Sequence, residues 1–78
     1  MSVKSKPAVR ADVVTPDNSG ELTPLRSLYI GVSGDVTVDM ADSGTNVTFK
    51  AVPVGILPVS VTRVYATGTT ATDIVNLG

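Results

Sequence analysis

The stretch Asp35-Val-Thr-Val-Asp-Met40 decides the fold class. Its apolar residues recur every second position, so Val36, Val38 and Met40 share one face of an extended chain, and Thr37 and Asp39 point the other way. Turn formers bracket it: Ser33-Gly34 before, Asp42-Ser43-Gly44 after. Beyond the second turn, Asn46–Val52 alternates again, grouping Val47, Phe49 and Ala51 and sending Thr48 and Lys50 outward. Pro53-Val54-Gly55 breaks that run. Leu57–Ala66 reads as the longest strand, with Leu57, Val59 and Val61 inward, Ser60 and Thr62 outward, and a bulge or corner where the pattern slips at Arg63-Val64-Tyr65. Upstream, Leu28–Val32 is a strand. Downstream, Thr67–Thr72 is a loop and Asp73–Leu77 a short last strand. Strands and turns alternate at the spacing of about 8–12 residues typical of small β domains.

Composition agrees with this reading. Fourteen Val and ten Thr make up nearly a third of the 78 residues, whereas Glu occurs once and Gln not at all; β-branched residues are stiff and favour strands. The expected fold is all-β, a small single-domain antiparallel β-barrel or sandwich with an extended N-terminal arm. Residues 1–20 form the arm and residues 21–78 the β domain. The arm's first ten residues carry three positive charges, Lys4, Lys6 and Arg10, and no negative one. Within the arm, Ala11-Asp-Val-Val-Thr15 is β-prone and able to add to a sheet edge. Phe49 is expected in the core, where its truncation to Ala would cost about 3–5 kcal/mol.

The residues present narrow the chemistry. The chain has no Cys and no His, which removes disulfide staples, thiolate metal ligands and the usual general base. A net charge of −1 and a pI near 4.9 lack the phosphate-neutralising excess of a nucleic-acid binder. No uncharged run approaches the roughly 20 apolar residues of a membrane helix. Ser33 in Gly31-Val-Ser-Gly34 resembles a nucleophile elbow only superficially. Asp35 stands where that motif needs Gly and no base is present, so Ser33 reads as a hairpin-turn residue. Asp39 and Asp42 flank a turn but lack the ordered oxygen series of a calcium loop, and read as surface carboxylates. Asp17, Asn18 and Ser19 are turn formers that bond their own backbone. Arg26, Lys50 and Arg63 are isolated and not interleaved with aromatics, as a stacking platform requires. No enzyme, cofactor or metal site is expected. Thr67–Thr72 offers four hydroxyls and no charge, suited either to a polar rim at a subunit contact or to bonding within its own turn. With no disulfide or metal and only Tyr29, Phe49 and Tyr65 to add bulk, so small a core is expected to complete its burial in a homo-oligomer.

Two stretches, Leu22-Thr-Pro-Leu-Arg-Ser-Leu-Tyr-Ile-Gly-Val-Ser-Gly-Asp-Val36 and Val47-Thr-Phe-Lys-Ala-Val-Pro-Val-Gly-Ile-Leu-Pro-Val-Ser-Val-Thr-Arg-Val64, carry a family resemblance together with the tail Ala66-Thr-Gly-Thr-Thr-Ala-Thr-Asp-Ile-Val75. The chain resembles the small head-spike base proteins of gene transfer agents and related tailed bacteriophages over most of residues 13–77. That resemblance implies a structural virion protein on the outer capsid surface at the vertices, assembled as a pentamer, mounting a head fibre or spike and held to the major capsid protein. It implies no catalysis. On this reading Lys4, Lys6, Arg10, Val13 and Val14 contact the capsid through the arm, and deleting residues 1–20 should leave a folded domain that no longer joins capsids. Ser33, Asp35, Thr67, Thr69, Thr70 and Thr72 face the ring or the fibre. The runner-up in the same class is a decoration or cement protein spread over the capsid lattice. A host-glycan-binding module is the alternative from another class, weakened by the few aromatics.

Overall fold

The computed structural model describes residues 8–78. Its elements are all strands: β1 (Ala11–Val14), β2 (Ser27–Val32), β3 (Gly34–Met40), β4 (Val47–Val52), β5 (Gly55–Leu57), β6 (Val61–Val64) and β7 (Thr72–Leu77). They form two antiparallel sheets, one ordered β1-β7-β2-β5 and the other β4-β3-β6. Of barrel and sandwich, the structure is the sandwich. Leu28, Ile30, Ile74 and Val14 from the larger sheet meet Val36, Val38, Val52, Val61 and Val64 from the smaller one in a single core closed by Ala71. The alternation in β3 places its apolar face as expected, with Val36 and Val38 fully buried and Met40 packed at the margin.

Several local expectations need correction. Ser33-Gly34 is not a hairpin turn, because β2 and β3 lie in different sheets; it is the corner where the chain crosses between layers. Leu57–Ala66 is not one strand. β5 pairs with β2, whereas β6 pairs with β3, and Pro58, which has no N–H to give a ladder, lies between them. Leu57, Val59 and Val61 nevertheless all face the core, since the crossing preserves the side on which they point. The β3–β6 register does shift, between Asp39 and Met40, but the residue left without a partner is Thr62, ahead of the expected Arg63-Val64-Tyr65. In β4 the alternation breaks one residue early. Ala51 adopts φ of +53°, a left-handed conformation uncommon outside glycine, and its N–H donates to Asp35 Oδ1 at 2.9 Å. This bulge turns Ala51 outward and buries Val52 in its place. Phe49 is half-buried against the core rather than enclosed by it, so the full truncation cost does not apply.

The opposite face of β3 is not solvent either. Thr37, expected to point outward, is 2% exposed because the segment after β6 folds over it. Its N–H donates to Thr69 Oγ1 at 3.0 Å, and its hydroxyl donates to Gly68 O at 3.0 Å and lies 2.9 Å from Thr48 Oγ1. Gly68 sits at φ +92°, and an added Cβ would lie 2.6 Å from Thr37 Oγ1. Glycine therefore serves both the backbone conformation and the close approach.

Before β2, the chain is held to the domain from Val9 onward, where Val9 N–H and Arg10 N–H donate to Gly78 O at 2.6 and 2.7 Å. β1 pairs with β7 from Ala11↔Leu77 to Val14↔Ile74. Asp17 N–H then donates to Val64 O at 2.9 Å and Leu22 N–H to Thr62 O at 2.7 Å, carrying residues 15–22 across the end of the sandwich to β6.

Candidate assembly surface

The two segments expected to share a surface, Val32–Asp35 and Thr67–Thr72, do meet. Val32 pairs with Thr72 at the end of the larger sheet. Asp35 O accepts Thr70 N–H at 2.8 Å and Ala71 N–H at 3.2 Å, while Asp35 N–H donates to Thr70 Oγ1 at 2.8 Å. The hydroxyls do not bond within their own turn. Three of them reach residues distant in sequence. Thr69 holds Thr37, Thr70 holds Asp35, and Thr67 Oγ1 accepts Asn18 Nδ2 at 2.9 Å. Asp35 likewise belongs to the fold, because it holds the β4 bulge. Ser33, Thr67, Thr70 and Thr72 remain exposed, with Asp35 and Thr69 half-buried.

Asn18 acts at long range instead of within its own turn. Its Oδ1 accepts both Ala66 N–H at 2.9 Å and Thr67 N–H at 3.0 Å, clipping the leading segment to the loop after β6. Asp17 keeps the expected role, with its Oδ1 accepting Ser19 N–H at 3.0 Å. Of the arm residues, Lys4 and Lys6 lie outside the described residues. Arg10 is exposed and donates from Nε to Asp12 Oδ2 at 2.9 Å. Val13 is 83% exposed, whereas Val14, at 6%, is a core residue and presents nothing to a partner.

Asp39 is not a surface turn carboxylate. It anchors a polar cluster on the outer side of the smaller sheet. Tyr65 donates its hydroxyl to both carboxylate oxygens at 2.9 and 3.0 Å, Arg63 donates from Nη1 to Oδ2 at 3.1 Å, and Asn46 N–H donates to Oδ1 at 2.8 Å. Arg63 also donates from Nε to Gly20 O at 2.9 Å and stands over the Tyr65 ring. The cluster thus ties β3, β6, the β3–β4 turn and the leading segment together. An acidic residue inside a strand, where Asp is disfavoured, was the available sequence signal. The Asn46 amide is the largest influence lowering the Asp39 pKa, with Tyr65 and Arg63 adding to it against partial desolvation. Because the folded form binds the proton more weakly than the unfolded chain, this contribution is complete above the ordinary carboxylate value and disappears as pH falls through the lowered one. Asp17 is shifted the same way, chiefly by Ser19 N–H. Stability is therefore expected to fall below about pH 4, and less steeply in Asp39→Asn. Urea titrations at pH 7, 4 and 2.5 check this, and parallel acid limbs for the two proteins would refute it.

Among the described residues, no three of His, Cys, Asp and Glu come together as metal ligands. A cavity of about 250 Å³ beside β1 has Val13, Leu22 and Val64 in its lining, with Asp17 and Glu21 as its ionisable groups. The described residues also include exposed apolar side chains that form contact surfaces. The least anticipated of these is an apolar row on the outer face of the larger sheet. Val13 pairs with Val75, Val75 with Tyr29, and Tyr29 with Ile56, so one residue from each of the four strands stands in line. Leu28 and Ile30 inward imply Tyr29 outward. Which residues stand beside it depends on strand pairings that alternation does not specify.

No protein-family model matches this chain, and neither does any curated protein. Among solved structures, the chain is similar over its whole length to a chain in a structure described as "Capsid of native GTA particle computed with C5 symmetry". The two share 38% sequence identity and a TM-score of 0.81, and the match covers 100% of this chain and 90% of that one.

Proposed function

This chain belongs to the family of that gene-transfer-agent capsid chain, and from this premise we propose that it is a structural virion protein forming the base on which a spike or fibre is mounted at the capsid vertices. The observation that carries the reading is the full-length match to a chain of a capsid described with fivefold symmetry. A cyclic assembly of five copies is the arrangement that such an axis accommodates. The role is mechanical, with no catalytic step. The leading segment supports it: β1 is paired with β7, and Val9 and Arg10 are bonded to Gly78, so the chain enters the domain at a fixed point beside its basic stretch. Lys4 and Lys6, with Arg10, would then meet the major capsid protein, while Ser33 and Thr72, exposed at the sheet-crossing corner, face the ring or the fibre.

Particle imaging tests this reading. Density for the chain at vertices alone, five copies to each, is the expected result. Density across the faces would instead make it a lattice-wide cement protein. Two variants separate the surfaces. Deleting residues 2–7 is expected to preserve the fold and reduce incorporation into particles. Ser33→Lys with Thr72→Lys is expected to change stability by no more than about 0.5 kcal/mol, as exposed substitutions do, while preventing ring closure or fibre attachment. Particles of the lysine variant with a full set of rings and fibres would remove this corner from the contact surface.

A further inference from the structure

We infer that copies of this chain join edge to edge through the larger sheet, with β5 of one copy pairing antiparallel to β1 of the next and Ile56 standing opposite Val13. Strand order and direction supply the first reason. The sheet runs β1-β7-β2-β5 with every neighbouring pair antiparallel, so β1 and β5, its two edges, point in opposite directions. Copies related by a rotation axis running roughly along the strands all point the same way. Each β5 therefore meets the next β1 antiparallel, the more stable pairing. The smaller sheet has no such property. Its edges, β4 and β6, are both antiparallel to β3 and so parallel to each other. Joining them around a ring would produce the weaker parallel pair.

The side chains supply the second reason. The row Val13–Val75–Tyr29–Ile56 crosses the whole sheet and ends at its two edges. Exposure is greatest at the ends, 83% at Val13 and 58% at Ile56, and lower at Tyr29, 39%. Each end residue lacks the cross-strand neighbour that the interior residues have. Placing Val13 of the next copy beside Ile56 supplies both with one and continues the row from copy to copy. The edges also match in extent. β1 has four residues and β5 three, with Pro53 and Pro58 limiting pairing to the stretch between them. No charge stands in β5 to repel an added strand, and among the described residues no strand lies beyond either edge. Open edges of this kind are a pairing hazard in a lone domain. A head-to-tail contact that closes on itself removes all of them at once.

The number five rests on the mounting-base reading, while the edge pairing needs only copies of this chain. Because the sequence contains no Cys, engineered thiols report without background. Directly opposed residues on paired strands lie about 4.5–5.5 Å apart, within disulfide range, and both sites are exposed enough to accept Cys without loss of fold. Val13→Cys with Ile56→Cys in one chain should give, on mild oxidation, a covalent ladder ending at a closed five-copy species. Either single variant alone should remain monomeric on a denaturing gel, and the two single variants mixed should stop at dimers. The same oxidation is run on free protein and on particles. Incorporated chains that stay monomeric after oxidation overturn the edge pairing and leave the mounting role intact. A ladder in free protein from a chain absent from particles upholds the pairing and overturns that role. Neither incorporation nor a ladder overturns both. A ladder from Val13→Cys with Val54→Cys, and none from the first pair, overturns the stated register.

Discussion

Ile30→Ala is expected to lower the stability of the free domain by about 2–5 kcal/mol, the range for truncating an enclosed aliphatic side chain. Ile30 is fully buried and central in the larger sheet, paired with Ile74 on one side and Gly55 on the other. Gly55 has no side chain to move into the space, so the cavity stays open and the cost lies in the upper half of that range. Domains are stable by only about 5–15 kcal/mol, and this one has no disulfide to offset a loss. With a urea dependence of about 1 kcal/mol per molar for a chain this small, the midpoint should drop by about 3.5 M or more, or the variant should be unfolded without urea. Val54→Ala, at a site 58% exposed, serves as the reference and should change stability by less than about 0.5 kcal/mol. A loss below about 1 kcal/mol in Ile30→Ala would mean that the two sheets do not enclose this position.

Gly34→Ala is the second large expected effect, and it arises from backbone approach rather than lost contact. A methyl group here would lie 2.6 Å from Ala71 N, 2.9 Å from Ala71 Cα and 2.7 Å from Thr70 Oγ1. Side chains could rotate away from such a contact, but the backbone of Ala71, itself a core residue, cannot move without drawing the loop with it. That motion opens the bonds joining Asp35 to Thr70 and Ala71. Overpacking of this kind costs about 1–3 kcal/mol, and the loosened bonds add about 1 kcal/mol. Thermal or urea unfolding measures the sum. Assembly should fail in parallel with stability in this variant, whereas Ser33→Lys with Thr72→Lys, at the same corner, should lose assembly and keep its stability. A wild-type melting curve for Gly34→Ala would show that the corner is looser than its contacts indicate.

The contrast between these sites marks how far the chain can be read without its fold. Strand identity and the buried face of β3 follow from alternation, because successive side chains of an extended backbone must point to opposite sides. Leu57, Val59 and Val61 were legible as core for the same reason, although the strand containing them was not. Alternation identifies the side that avoids water and carries no information about which strand lies alongside. The sheet crossings at Ser33 and Pro58, the Ala51 bulge and the burial of Thr37 depend on contacts between residues distant in sequence, and the hydroxyls of Thr69 and Thr70 take their partners from strands some thirty positions away. The candidate contact surface divides in the same manner. Ser33, Asp35 and the threonine loop could be singled out as polar turn material, but the engagement of Asp35 within the fold could not, nor could the clip formed by Asn18 or the hub at Asp39.

Composition and local pattern were enough for an all-β chain without Cys or His, because backbone preference and side-chain chemistry are properties of single residues and near neighbours. The apolar row through Tyr29, the opposed directions of β1 and β5, and the bonds that occupy the loop hydroxyls came with the folded arrangement alone. Each is a relation between strands, and such relations are chosen by the packing of two sheets around one shared core.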